Sequence, residues 1–198
     1  MNTPAKKNNR RQEILETLAA QLEQNPGTPI RTASLAKAVG ISEAALYRHF
    51  PSKAKMFESL IQFSEETIFS RINLIQQEHK NAIIRCEAVM RLLLTFADRN
   101  PGIVRILLGD AIMGESEKLR IRVSQFFDRL ELQIKQFLRE GVMHQELPES
   151  TNVAVMANFI LAYIEGRINQ FQRSNFSRKP LEQTEDQWNY IANLLTQN

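Results

Sequence analysis

The sequence predicts an all-α protein: a three-helix N-terminal helix-turn-helix head followed by a helical C-terminal body. Three observations carry this. Apolar residues recur at helical spacing through most of the chain, and only 7 Gly and 7 Pro interrupt its 198 residues. The segment Thr32–Lys53 reads as two short helices joined by a tight turn. The length suits a small head on a larger body, which we divide into a helix-turn-helix head over residues 1–55 and a helical body over 56–198.

Residues up to about Asn8 are polar and basic and read equally as a disordered arm that tracks phosphates or as a solvated tail. A first helix carries Ile14, Leu15, Leu18, Ala19 and Leu22 on one stripe and stops at Asn25-Pro26-Gly27. The next apolar set, Leu35, Ala36 and Val39, ends at Gly40, which can enter a left-handed turn without a Cβ penalty. Ile41 fills the corner. Thr32 is expected to cap the first short helix and Ser42 the second, which spans Glu43–His49.

A plain αα-hairpin fits this periodicity equally well. With Ala45, Leu46 and Phe50 turned inward, however, Ala44, Tyr47, Arg48 and His49 face out. A Tyr, an Arg and a His followed by Lys53 and Lys55 suit phosphates and base edges. Pro51 ends the second helix, and Ser52 can cap another whose N-terminal dipole favours a phosphate near Lys53. The DNA-binding set is therefore Arg10, Thr32, Ser42, Ala44, Ala45, Tyr47, Arg48, His49 and Lys53.

Charge supports that placement. Up to Lys55, Lys6, Lys7, Arg10, Arg11, Arg31, Lys37, Arg48, Lys53 and Lys55 outnumber Glu13, Glu16, Glu23 and Glu43. The whole chain has a formal net charge of only +3, so the body is net acidic. A basic head on such a body is an electrostatic footprint of nucleic-acid binding.

Hydrophobic residues at 43% and charged residues at 24% are ordinary for a globular protein. No apolar run has the length of a membrane span, and the N-terminus lacks a signal-type apolar core, so an intracellular, soluble protein is expected. The single cysteine, Cys86, lies in an apolar helical stretch and reads as a buried structural thiol. His79 and His144 stand alone in polar surroundings. There is no phosphate loop, nucleophile elbow, CxxC or paired histidine, and no catalytic residue, metal or cofactor is expected.

SEAALYRHFPSK followed by Met56-Phe57 resembles the signature of the TetR family of DNA-binding proteins. The resemblance implies dimers with a three-helix head and a helical body. NRRQEIL, SRINLI and RNPGIVRIL extend the similarity over nearly the whole chain, towards members of that family that act in cell division. Those members are DNA-binding nucleoid occlusion factors: they bind palindromic chromosomal sites and, while bound, antagonise assembly of FtsZ over the nucleoid.

In the helix about Ala54–Gln77, Phe57, Leu60, Ile61, Ile68, Ile72 and Ile75 share a face. Phe63 falls about 120° from Phe57 and near Arg71. It is either covered by a neighbouring helix or anchors a partner peptide, with Arg71 pairing an acidic residue. The helix from about Asn81 to Asn100 is apolar over an arc wider than one neighbour can bury, which suits a central position or a groove. The resemblance implies that the C-terminal tail of FtsZ docks between these two helices, on Phe63, Arg71, Leu92, Arg99 and Asn100.

A short helix is expected over Ile103–Leu108, a loose segment to Glu117, and a long helix over Leu119–Glu140 stopped by Gly141. The segments Thr151–Asn175 and Glu185–Leu195 are apolar on so many sides that two from each of two chains would form a four-helix bundle. The expected dimer contacts are Phe159, Tyr163, Ile164, Phe171, Trp188, Ile191 and Leu195, with Ala157, Ala162 and Gly166 allowing close helix approach. The competing function is a ligand-responsive TetR-type repressor, which needs an apolar chamber with convergent polar groups. The body's stripes of large residues favour a filled interior instead.

Overall fold

The computed structural model describes residues 4–196. Its helices are α1 (Pro4–Gln24), α2 (Thr32–Val39), α3 (Glu43–His49), α4 (Lys53–Glu78), α5 (Ala82–Arg99), α6 (Pro101–Leu107), α7 (Glu117–Met143), α8 (Val153–Arg173) and α9 (Thr184–Thr196). Among the described residues there is no strand. Residues 1–3 of the expected basic arm lie outside the described ones. The backbone from Pro4 onward is helical, which corrects the expectation of a disordered arm up to Asn8: proline is tolerated in a helix's first turn, and no breaker intervenes before Asn25.

The chain divides into two compact units, Met1–Ser64 with Asn100–Val123, and Glu65–Arg99 with Ser124–Asn198. The first therefore holds α6 and the start of α7 as well as the helix-turn-helix. Its most extensive helix pair is α1 with α6. They meet where Gly102 leaves no room for a side chain: a Cβ there would stand 2.0 Å from the Ala19 carbonyl oxygen. Ile14, Leu18 and Leu22 of α1 and Ile103, Val104 and Ile106 of α6 are buried.

Into this apolar contact the chain sends a charge. Arg105 is 2% exposed. Its Nη1 donates to the carbonyls of Leu22 and Asn25, each at 2.8 Å, and its Nε to Asp110 at 2.5 Å. A cation on carbonyls at the end of α1 meets the negative end of that helix's dipole, and every bond is charge-assisted.

The second unit repeats the device. Arg85 is buried at the start of α5, where it donates to the carbonyls of His79 (2.7 Å) and Gln76 (3.1 Å) at the end of α4 and to Glu140 of α7 (2.5 Å). A hydrogen bond from Gln136, then Arg85, holds the Glu140 carboxyl below its usual range against some desolvation. Arg167 of α8 is buried too, donating to the carbonyls of Lys179, Pro180 and Glu182 in the loop before α9. In this unit α5 packs against both α8 and α9. Cys86 is fully buried, and burial pushes its thiol up to about 12, as a structural cysteine requires.

Gly141 does not stop α7, which runs on to Met143. Its role is space: a Cβ there would stand 2.6 Å from that of Ala82. Beyond the helix end Gln145 takes the left-handed region at φ 59°.

Arg105→Ala leaves Asp110 and two helix-terminal carbonyls without their cation. It should cost about 3 kcal/mol of unfolding free energy, whereas Arg178→Ala in an exposed loop should stay within about 0.5 kcal/mol; urea titration of both variants checks this.

Candidate nucleic-acid interface and partner surface

The helix-turn-helix forms from local signals. Gly40 adopts φ 73°, its N–H bonds to the Lys37 carbonyl, and the Ile41 N–H reaches the Ala36 carbonyl at 3.0 Å. This is the paired-bond turn that glycine permits at a helix C-terminus. Ser42 then accepts from the Ala45 N–H at 3.2 Å and caps α3. Leu46 anchors α3 in the core, leaving Ser42, Ala44, Tyr47 (42% exposed) and Arg48 on the outer face, with Ala45 and His49 half-buried.

One predicted role changes, and two other candidates for DNA contact have ionic partners. Thr32 does not cap α2: it is the helix's first residue, Arg31 holds the cap position, and no side chain caps there. Instead the Thr32 hydroxyl donates to the Glu43 carboxylate and accepts from the Tyr47 hydroxyl at 3.3 Å. That chain of bonds ties α2 to α3 and orients the Tyr47 ring. Lys53 has an acidic partner, its Nζ standing 2.5 Å from Glu115. Arg10 pairs with Glu13 at 2.8 Å beside the Val39 carbonyl.

Sequence reasoning missed Glu43 and Arg11 on this face. Arg11 donates from α1 to the His49 carbonyl at 2.6 Å and lies 4.3 Å over the Phe50 ring. It thereby cross-links the first helix to the end of α3. Glu43 meets Thr32 across the turn, at a separation that no local capping pattern marks.

Of the residues expected to meet a partner, Phe63 (44% exposed) and Asn100 line one hollow of about 260 Å³ in the first unit. Arg71 and Arg99 are exposed and Leu92 is half-buried in the second unit.

The expected dimer contacts need correction. Ile164, Phe171, Trp188, Ile191 and Leu195 are all buried within their own chain. Periodicity marked them as apolar but could not say that other parts of the same chain, α5 among them, already cover them. Phe159 (44% exposed) and half-buried Tyr163 do reach the surface. Phe159 belongs to an exposed stripe at 155, 159, 162 and 166, namely Val155, Phe159, Ala162 and Gly166, and α9 exposes Tyr190 and Leu194 one turn apart. A Cβ added at Gly166 would meet nothing within 4 Å among the described residues. Among the described residues there is no His/Cys/Asp/Glu cluster able to hold a metal, and no helix is long and apolar enough to cross a membrane.

Residues 14–60 match the family described as bacterial regulatory proteins, tetR family, and residues 80–196 match a tetracyclin repressor-like C-terminal domain. The nucleoid occlusion factor SlmA of Alteromonas mediterranea is 55% identical over 92% of this chain and 94% of its own. That of Idiomarina loihiensis is 54% identical over 96% of both. Among solved structures, the ketosteroid transcriptional regulator KstR2 of Mycobacterium tuberculosis matches with a TM-score of 0.78 at 18% identity, covering 96% of each chain. The MbdR regulator from Azoarcus sp. CIB matches at 0.80 and 15%, over 93% of this chain and 97% of its own. At such identities these two likenesses concern the fold.

Arg48→Ala removes an exposed cation beside the recognition surface without touching the core. DNA affinity should fall about tenfold and the slope of log K against log salt should lessen by about one, read by fluorescence anisotropy across a salt series with the melting temperature unchanged.

Proposed function

We propose, for a chain that belongs to the TetR family of bacterial regulatory proteins and within it to the SlmA group, a nucleoid occlusion function. It is a DNA-binding regulator, and its work is to seat on palindromic chromosomal sites and there antagonise FtsZ assembly, so that no septum forms over the nucleoid. The observation that carries this reading is the near-full-length identity with relatives of that name.

The local geometry supports each part. An exposed Tyr47-Arg48 pair on a capped recognition helix suits a major groove. One such helix reads only a half-site, so a two-fold dimer is the complement of a palindrome. The exposed stripe of Val155, Phe159, Ala162 and Gly166, with Tyr190 and Leu194, is the face that a second copy covers. The FtsZ C-terminal tail is the partner, engaging Phe63, Arg71, Leu92, Arg99 and Asn100; exposure of Phe63, Arg71 and Arg99 supports this. The site of action is the nucleoid, in the cytoplasm. A repressor released by a small ligand would use the same head and dimer, but the relatives at 54% and 55% identity are named nucleoid occlusion factors.

Charge reversal tests the partner reading. Arg71→Asp should abolish binding of a labelled FtsZ tail peptide while the affinity for DNA stays at the wild-type value. Tail binding that survives this substitution would remove the assignment.

A further inference from the structure

The hollow that Phe63 and Asn100 line is walled on its far side by α1. Leu15 and Ala19 of α1, Leu60 of α4 and Ile103 of α6 supply apolar surface, and Gln12 and Glu16 of α1 form a polar edge with a 3.0 Å hydrogen bond between them. Its volume of about 260 Å³ is below the roughly 300–1,000 Å³ of a metabolite pocket. It suits a side chain or two of a peptide.

We infer that this hollow is a subsite for one large apolar side chain of the FtsZ tail, with Glu16 meeting a basic residue next to it. The inference rests on the partner reading above and adds α1 to it. Two observations choose this occupant. The hollow shares Phe63 and Asn100 with the tail-binding set, so a peptide on those residues reaches the hollow without leaving them. Its acid, Glu16, is exposed at the edge and selects a cation beside the apolar anchor.

The placement has a consequence for coupling. Arg11, one helical turn before Leu15, donates to the last carbonyl of the recognition helix. A tail seated against Leu15 and Glu16 and DNA seated on α3 therefore bear on the same helix. If both favour one setting of α1, each tightens the other by an equal factor.

The test titrates a fluorescein-labelled synthetic FtsZ tail peptide into the full-length protein and into Ala19→Leu and Glu16→Arg. Ala19→Leu fills the hollow and should weaken the tail about tenfold or more, the worth of one displaced apolar side chain. Glu16→Arg should weaken it severalfold, by a factor that shrinks as salt rises. DNA affinity without tail should match wild type in both. Where Ala19→Leu lowers the melting temperature, Glu16→Arg, which lies on the exposed edge, decides. Wild-type affinity in the variants together with loss in Arg71→Asp overturns the subsite and leaves the partner reading standing. Absence of tail binding to the wild-type protein overturns both.

Discussion

The guanidinium of Arg105 lies among the apolar residues of α6 and donates to two carbonyls at the end of α1 and to Asp110. Removing a charge from water is costly, and its return here is registry. α6 can satisfy Arg105 only when set at one height along α1, the height at which Gly102 meets the Ala19 backbone. The hydrophobic contact alone would tolerate a slide along the helices. Charge and glycine together do not, and every feature of the first unit that involves α1 takes its position from that crossing.

Two of those features belong to function. Through Arg11, α1 holds the last carbonyl of α3, so the recognition helix is fixed to α1 as well as to α2. On α2 and α3 the Thr32, Glu43 and Tyr47 side chains bond in series, holding Tyr47 in place before any DNA arrives. Such pre-ordering lowers the entropy lost on binding. Away from α3, α1 contributes a wall to the hollow beside Phe63. α1 thus touches both the recognition helix and that hollow.

What could be read from the sequence was what local chemistry decides. The α3 boundaries, Glu43 to His49, follow from Gly40, Ser42 and Pro51, each acting within a few residues. Gly141 misled because its reason is distant: the same residue type that ends a helix here makes room for Ala82. Trp188 and Ile191 misled for a related reason, since a helical stripe shows that a face is apolar and not which neighbour covers it. The buried arginines carried an unused signal. Arg105 stands within Gly-Ile-Val-Arg-Ile-Leu, Arg85 within Ala-Ile-Ile-Arg-Cys and Arg167 beside Ile168 and Phe171, positions where a solvated cation has no place. An arginine on an apolar stripe points to a carbonyl cluster at a helix end or loop. The hollow beside Phe63 was legible least, because it is assembled from three helices far apart in sequence.

In the proposed function DNA licenses antagonism of FtsZ, and sedimentation of FtsZ polymers assembled with GTP measures this directly. The protein with a palindromic duplex selected for binding should sharply reduce the FtsZ that pellets, while the protein with a scrambled duplex of equal length should change it little. Equal pelleting with either duplex and without the protein would contradict the account.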